Sequence, residues 1–286
     1  MTPQAAPPAF EIVITVDDLP AHGPLPPGMS RLGIAEQTLA VLKAHGVPEA
    51  WGFVNAKRLT EDPATEQVLL RWRQAGYPLG NHTHSHLNID RAPSQRAWEA
   101  DVEAGEGAIA RHMPGDSWRV FRYPNLNVGS VAERRAAAQA YLRAKGYRIA
   151  DVSVAFSDWD YTDAYARCLA RGDQASIAQM TRAYLANVDA GILRMRAMSQ
   201  RVYGRQIPQV LLTHLGGFSA ITLDAVLSKL DAAGARYITL AQAQRDPAYA
   251  EAGGGSVMSR AAQAQSSDLS GLPTVPDSSA ARQMCK

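Results

Sequence analysis

Cysteine is scarce in this chain, since Cys168 and Cys285 are the two cysteines among its 286 residues. Two cysteines are too few for a disulfide framework, and this pair is not spaced for a structural zinc site. Two alternatives stay open. A disulfide between them would anchor the end of the chain in an oxidising compartment, whereas in a reducing compartment they would be two unrelated thiols.

Long apolar runs are missing as well. No stretch reaches the roughly 18 consecutive apolar residues of a membrane-spanning helix, so no transmembrane segment is expected. The opening MTPQAAPPAF lacks the basic and apolar regions of a signal peptide, but its Ala/Pro-rich composition resembles the start of an exported protein after signal cleavage, with a Met added. We therefore expect a periplasmic or secreted protein, with a cytoplasmic one as the alternative.

Neither sign of charge predominates, because 29 Lys and Arg stand against 27 Asp and Glu, for a formal net charge of +2. The two signs are interspersed along the chain, whereas a nucleic-acid-binding surface normally shows as clustered Lys and Arg. No nucleic-acid partner is therefore expected, and the substrate is expected to be neutral or weakly charged. The composition makes no prediction of the oligomeric state.

Short β-rich runs alternate with helical patterns along most of the chain. One helix, for example, is predicted between a Ser30 cap and Gly46, with Leu32, Ala35 and Leu39 on one face. Strands that are nearly continuous in Val, Ile and Leu and alternate with helices predict a parallel sheet covered by helices. Because no GxGxxG follows the first strand, a barrel is favoured over a dinucleotide-binding open sheet. The seven predicted strands are FEIVITV (10–16), AWGFVN (50–55), YPLGNH (77–82), WRVFRY (118–123), YRIADVSV (147–154), QVLLTH (209–214) and RYITL (236–240).

The chain is expected to form one barrel domain, residues 10–245, between an N-terminal tail (1–9) and a C-terminal tail (246–286). Residues 159–208 form one long helical insertion before the sixth predicted strand. The C-terminal tail is rich in Ala, Gly, Ser and Pro and has few large side chains. It is therefore expected to be either disordered or draped over the barrel.

Three of the chain's seven histidines, His82, His84 and His86, lie in the stretch GNHTHSHLN. Imidazoles are not expected to be concentrated in this way in a hydrophobic core or in a solvated loop, so the stretch predicts a metal site. His82 and His86 are four apart and could bind one ion from a helical turn or a tight loop. His84 faces away from them if the stretch is extended, and we favour a packed side chain there over a position in a substrate groove.

The adjacent carboxylates Asp17 and Asp18 end the first predicted strand, in ITVDDLP. Their charges would repel unless a cation or two different partners separated them; a helix cap or a turn pair is the alternative. One carboxylate oxygen with His82 and His86 would give zinc three ligands and leave a fourth position for water, as in catalytic rather than structural zinc sites.

Further polar side chains follow other predicted strands. Arg122 comes after the fourth strand, Asp158 after the fifth and His214 after the sixth. In a parallel barrel the chemistry lies at the carboxyl ends of the strands, so these residues are expected near the aspartates and histidines. A surface salt bridge is the alternative for Arg122.

The segments VDD, NHTHSH, FRYP, SDW and LLTHLG, in this order and each at a strand end, resemble the five-motif pattern of the polysaccharide deacetylase family, metal-dependent carbohydrate esterases with a nodulation-protein-like deacetylase domain. The resemblance covers residues 10–245, apart from much of 159–208. It implies an α/β fold, a distorted, incomplete (β/α)7 barrel with a helical insertion before the sixth strand. It also implies a hydrolase that removes acetyl groups from an N-acetylated or O-acetylated polysaccharide or oligosaccharide through a metal-activated water.

The resemblance also implies roles for particular residues. Asp17 would be the general base, oriented by Arg122, and His214 the general acid, kept charged by Asp158. The metal, Zn²⁺ or another divalent transition metal, would be held by Asp18, His82 and His86, and the substrate-binding residues would be Asn125, Trp159 and Leu212.

Two departures from the family pattern leave the substrate open. Asn125 stands where the family often has an aromatic side chain, and Ala155 stands where the fourth motif commonly begins with Asp. A small-amide or imide hydrolase on the same scaffold is therefore one alternative, and a catalytically silent glycan-binding module is another. An open groove would indicate a polymer, and a pocket closed by residues 159–208 would indicate a small molecule.

Overall fold

The computed structural model describes residues 9–115, 117–251 and 253–286, so nearly all of the predicted N-terminal tail lies outside the described residues. In the described part, eight strands form one sheet. The strands are β1 (Phe10–Leu19), β2 (Ala50–Val54), β3 (Leu79–Asn81), β4 (Val120–Phe121), β5 (Arg148–Ile149), β6 (Val154–Ala155), β7 (Gln209–His214) and β8 (Ala235–Tyr237). The helices are α1 (Arg31–Ala44), α2 (Lys57–Glu61), α3 (Glu66–Gln74), α4 (Gln95–Ala110), α5 (Ala132–Ala144), α6 (Trp159–Ala170), α7 (Gln174–Tyr203), α8 (Gly217–Ala232), α9 (Leu240–Ala243) and α10 (Val257–Ala264).

The sheet is parallel, with strand order β5-β4-β3-β2-β1-β7-β6, and β8 pairs with the beginning of β1. Strand β1 lies inside the sheet between β2 and β7, and eight of its ten residues are buried, as expected for a strand covered on both faces. Helix α1 begins as predicted, since the Ser30 hydroxyl accepts a hydrogen bond from the backbone of Gly33, and the chain leaves it through Gly46 at a φ of 64°. The structure confirms the incomplete (β/α)7 barrel.

The predicted fifth strand, 147–154, is wrong as a single strand. Its two ends, β5 and β6, lie at opposite edges of the sheet path, where they pair with β4 and β7. Between them the backbone of Val152 pairs with the C-terminal tail, donating to the carbonyl of Gly255 (3.0 Å) and accepting from Val257 (2.8 Å). The segment breaks because its hydrogen bonds go to three different partners, which leaves the barrel incomplete.

The predicted insertion, 159–208, consists of α6, α7 and the loop to β7. The 30-residue helix α7 begins at an Asp173 cap and ends at Gly204, whose φ is 68°. Its buried stripe, which includes Met180, Tyr184 and Val188, packs on α6 and α8. Among the described helices none, α7 included, is sufficiently long and apolar to span a bilayer.

The C-terminal tail is packed on the barrel, which is one of the two arrangements that its composition left open. Val257, Met258 and Leu272 are buried against the core. At the end of the tail Cys285 forms a disulfide with Cys168 of α6, so of the two alternatives for the cysteines the structure has the bonded one. The domain boundary at residue 245 stays a prediction.

Replacing both Cys168 and Cys285 with serine is expected to lower the free energy of unfolding by about 4–5 kcal/mol in the chain-entropy model, because the bond closes a loop of more than about 100 residues. Denaturant unfolding of the oxidised protein and of the double variant measures this difference. A reducing agent should shift the midpoint of the oxidised protein and leave that of the double variant where it is. Equal midpoints for the two oxidised proteins would contradict the expectation.

Candidate active site

The polar residues predicted at the strand ends meet at one edge of the sheet. Asp17 and Asp18 lie near the end of β1, the histidine stretch follows β3, and His214 ends β7 directly beside Asp17 in the strand register. They surround a cavity of about 390 Å³, called the strand-end cavity below. Its lining residues are Asp17, Asp18, His22, His82, His86, Asn125, Leu126, Trp159, Leu212 and His214.

Asp18, His82 and His86 form a group with the geometry of a metal site. The Oδ1 atom of Asp18 lies 3.5 Å from the Nε2 atom of each histidine. Two ligands on one tetrahedral zinc, each about 2.0–2.1 Å from it, lie about 3.4 Å apart, so the spacing fits such an ion. Asp18 Oδ1 is buried and has no hydrogen-bond partner among the described residues. A buried carboxylate oxygen left unpaired is costly, and a cation between the three side chains would satisfy it.

The two histidines of this group are prepared for ligation. The Nδ1 atom of His82 lies 2.8 Å from the carbonyl oxygen of Arg122. A carbonyl only accepts, so Nδ1 carries the proton and the lone pair is left on Nε2, toward Asp18. Burial, together with the neighbouring His82, lowers the pKa of His86 to about 4, so its ring is neutral at pH 7. Neutral imidazole is the form that binds a metal.

Several backbones at the strand-end cavity adopt left-handed conformations. Asp18 has a φ of 62°, His86 of 59°, Asn125 of 56° and Leu126 of 54°. A non-glycine residue in this region costs on the order of 1–3 kcal/mol and persists only where its surroundings hold it, which is common at functional sites. The strain therefore coincides with the predicted ligands and with the loop that faces them.

Asp17 is hydrogen-bonded to Arg122, and its Oδ2 atom also lies 3.7 Å from Nε2 of His82. The guanidinium Nη1 donates to both carboxylate oxygens of Asp17, at 3.2 and 3.4 Å. Its other nitrogens donate to the hydroxyl of Thr15 (3.0 Å) and the carbonyl of Ala150 (2.8 Å), and its Cζ atom lies 4.6 Å from the centre of the Phe53 ring. Arg122 is 1% exposed, which excludes the surface salt bridge. Its fixed positive charge lies directly against the carboxylate of Asp17.

Asp158 and His214 form the second buried pair. The two oxygens of Asp158 accept hydrogen bonds from the ring Nδ1 of His214 (3.0 Å), its backbone nitrogen (2.8 Å), Thr213 Oγ1 (2.9 Å) and Ser219 Oγ (2.7 Å). Burial of His214 by itself lowers the pKa of its ring, but the charge and hydrogen bond of Asp158 outweigh it, aided by Asp18 and Asp17. Together they raise the pKa of His214 to about 9. His214 is therefore a cation at neutral pH.

The variant Asp158→Asn is expected to move the alkaline limb of the pH–rate profile from about 9 to lower pH. His214 can give a proton only below its pKa, and the variant removes the negative charge that raises this pKa. Measurement of kcat/KM between pH 6 and 10 tests the shift. Ser219→Ala is the matched control, since it removes one hydrogen bond but keeps the charge, and should shift the limb less. An unmoved limb in Asp158→Asn would contradict the assignment.

The three predicted substrate-binding residues also line the strand-end cavity. Trp159, at the start of α6, is 37% exposed at its mouth, and its ring lies edge-on to His214 with the centres 5.6 Å apart. Leu212 forms an apolar part of the wall. The side chain of Asn125 accepts a hydrogen bond from Asn88 (3.0 Å), which fixes the loop that carries it.

Two residues that line the strand-end cavity, His22 and Leu126, were not predicted from the sequence as site residues. His22 is bound to Asp18 and touches His214, yet it belongs to none of the quoted motifs. The signal available was its position in DDLPAH, four residues after Asp18. Leu126 follows Asn125 directly and could have been found from that neighbour alone.

A second cavity of about 380 Å³, called the side cavity, adjoins the first one. Asp18, His22 and His86 line both cavities, so the two lie directly beside each other at the metal group. The side cavity is lined in part by His84, which is half-buried, so the packed side chain that we favoured there stays a prediction. The other side chains of its wall are those of Ala21, Asn55, Lys57, Arg58, Glu61 and Ser85.

Comparison with known proteins agrees with this geometry. A family model described as Polysaccharide deacetylase matches residues 4–148, just over half of the chain. The chain belongs to the polysaccharide deacetylase family. The matched range contains Asp17, the metal group and Arg122, whereas Asp158 and His214 lie beyond it. No curated protein sequence matches the chain.

Solved structures of this family have the same fold. A chitin deacetylase from the fungal pathogen Colletotrichum lindemuthianum has 19% identity over 84% of this chain and 88% of its own, with a TM-score of 0.54. The catalytic domain of a peptidoglycan N-acetylglucosamine deacetylase from Eubacterium rectale has 18% identity over 83% and 92%, also with 0.54. A CE4 family pseudoenzyme from Bacillus anthracis has 16% identity over 83% and 66%, with 0.52. Because the same fold carries enzymes and a pseudoenzyme, activity has to be argued from the site.

Proposed function

We propose that this protein is a metal-dependent hydrolase that removes acetyl groups from an N-acetylated or O-acetylated polysaccharide or oligosaccharide. The observation that carries the proposal is the unpaired, buried Oδ1 of Asp18, which faces the Nε2 atoms of His82 and His86 between Asp17 and His214. Zn²⁺ or another divalent transition metal held by these three side chains would supply Lewis-acid activation of a water.

The side chains around the metal group have complementary proton-transfer roles. Arg122 holds the carboxylate of Asp17, which can accept the proton of the attacking water. His214 is kept protonated by Asp158 and can donate to the leaving amine or alkoxide. Asp17 and His214 are paired in the register of the neighbouring strands β1 and β7, and both line the strand-end cavity, so they can reach one reaction centre. Both roles are filled, which favours an enzyme over a catalytically silent glycan-binding module.

The two neighbouring cavities favour an extended substrate. Asp18, His22 and His86 line both of them, so a second concave surface lies directly beside the strand-end cavity. Of the described residues in the 159–208 insertion, Trp159 alone lines the strand-end cavity. Helix α7 packs on α6 and α8 and forms no lid. This arrangement supports a glycan chain over the small amide or imide of the alternative hydrolase.

A periplasmic or secreted location is part of the proposal. It is supported by the Cys168–Cys285 bond, because disulfides persist in oxidising compartments and are rare in the cytosol. Measuring the redox state of the two cysteines in intact cells, by alkylation before lysis, tests the location. Fully reduced thiols there would contradict it.

Acetate release from chitin oligomers, peptidoglycan and acetylated xylan tests the function. We expect acetate from at least one of them, loss of the activity on chelation, and its return when divalent metal is added back. Retarded migration on one of these glycans without acetate release would instead favour the binding module. Hydrolysis of small amides or imides, with none of the glycans turned over, would favour the alternative hydrolase.

A further inference from the structure

His22 connects the metal group with the proposed acid. Its ring Nδ1 lies 2.7 Å from Oδ2 of Asp18, while the other oxygen of that carboxylate faces His82 and His86. The His22 ring also lies against the ring of His214, with the centres 4.3 Å apart. One side chain therefore contacts both the carboxylate that would bind the metal and the imidazole that would donate the proton.

The loop that carries His22 is held from several sides. The backbone nitrogen of His22 donates to the carbonyl of Leu215 at 2.9 Å. Arg31 donates to the carbonyls of His22 (3.2 Å) and Gly23 (2.7 Å). A Cβ atom on Gly216 would lie 3.2 Å from the His22 ring, so the backbone of Gly216 packs closely against that ring. These contacts fix His22 over Asp18 independently of any ligand.

Asp18, His22 and His214 also lie close enough together to suggest a second cation site. The distance between Asp18 and His22 argues against it. Two ligands of one tetrahedral zinc lie about 3.4 Å apart, whereas the Asp18–His22 contact of 2.7 Å is that of a hydrogen bond. A carboxylate oxygen accepts, so Nδ1 of His22 carries the proton and donates it.

We propose that His22 is a positioning residue, which binds Oδ2 of Asp18, leaves Oδ1 as the ligand atom and supports the ring of His214. The inference rests on the proposed function. Groups that orient a metal ligand in this way commonly change metal affinity or activity by about 10-fold to 100-fold when they are removed. The effect should fall on metal affinity and kcat rather than on KM, because His22 acts through Asp18 and His214.

The test compares two variants of His22, one of which keeps the aromatic ring while the other keeps the hydrogen-bond donor. His22→Phe keeps a ring against His214 but lacks the donor, and we expect its dissociation constant for Zn²⁺ to rise by about 10-fold to 100-fold. His22→Asn keeps an N–H donor near the position of Nδ1, and we expect it to restore most of the metal affinity. Competition with a chromophoric chelator measures the affinity without any substrate.

His45→Phe is the matched control. His45 donates from Nδ1 toward Asp231 at 2.6 Å, a similar histidine–carboxylate contact at the surface and outside both cavities. We expect no change in its metal affinity or in its kcat. Melting temperatures of all three variants show whether any loss comes from unfolding.

Three results would overturn the role of His22. The first is a metal affinity and a kcat in His22→Phe equal to those of the wild type. The second is a metal affinity in His22→Asn as low as that in His22→Phe. The third is a wild type that binds two zinc equivalents, one of which is lost in His22→Phe. If the wild type binds no divalent metal, the proposed function itself fails. If it binds metal and His22→Phe binds it equally tightly, the proposed function stands and the inference alone fails.

Discussion

Replacing Asp17 with asparagine is expected to lower kcat by about 10²–10⁴-fold, the usual range for the loss of a general base. Asparagine has the same size and can still accept a hydrogen bond from Arg122, but it cannot take up a proton. The group with metal geometry comprises Asp18, His82 and His86, so the variant should keep its metal. The measurement is kcat on the acetylated glycan that the wild type turns over best, with the metal content of each sample determined in parallel.

The same variant should also lose some stability. Arg122 is buried, and neutralising Asp17 removes the carboxylate that it contacts; an uncompensated buried charge is destabilising. The contacts of Arg122 with Thr15 and Ala150 remain, so we expect a folded protein with a lower melting temperature. The rates must therefore be compared well below that temperature.

His214→Ala is expected to reduce kcat within the same range, because it removes the proposed acid. His45→Ala, which removes a histidine outside both cavities, is the control and should leave kcat unchanged. A near-normal rate in Asp17→Asn would rule out its role as the base. A near-normal rate in His214→Ala would do the same for the acid.

The edge of the sheet that carries the site could be predicted from the sequence because β1 and β7 are continuous apolar strands with polar residues at their ends. Such strands are buried in a parallel sheet, so their carboxyl ends share one edge. The sequence predicts only this common edge, and the structure adds that Asp17 and His214 are paired in register. Arg122 was placed correctly for a related reason, since it follows β4 directly.

What the sequence did not reveal depends on contacts between distant segments. YRIADVSV has the composition of one strand, but whether its two ends pair with the same neighbour is decided by β4, β7 and the tail. The place of His22 is likewise decided by Leu215 and Arg31, and no local periodicity marks it. The tail has few large side chains, yet Arg260 forms a salt bridge with the buried Asp151 at 2.8 Å.

Removal of the metal is expected to abolish turnover, and its addition to restore it. The unpaired Oδ1 of Asp18 and the two Nε2 atoms 3.5 Å from it give one oxygen and two nitrogens in zinc-like spacing. The double variant His82→Ala with His86→Ala removes both nitrogens and should bind no stoichiometric divalent metal. Elemental analysis of purified wild type and double variant, after dialysis against the same metal buffer, measures the difference.

The same prediction extends to stability, which needs no substrate. A ligand that binds only the folded protein stabilises it by about 4 kcal/mol when its concentration is about 1,000 times its dissociation constant. Chelation should therefore lower the melting temperature of the wild type and leave that of the double variant unchanged, since the variant has no site to empty. If the double variant kept an undiminished metal content, or lost as much stability on chelation as the wild type, the metal would be bound elsewhere and the assignment of Asp18, His82 and His86 would be wrong.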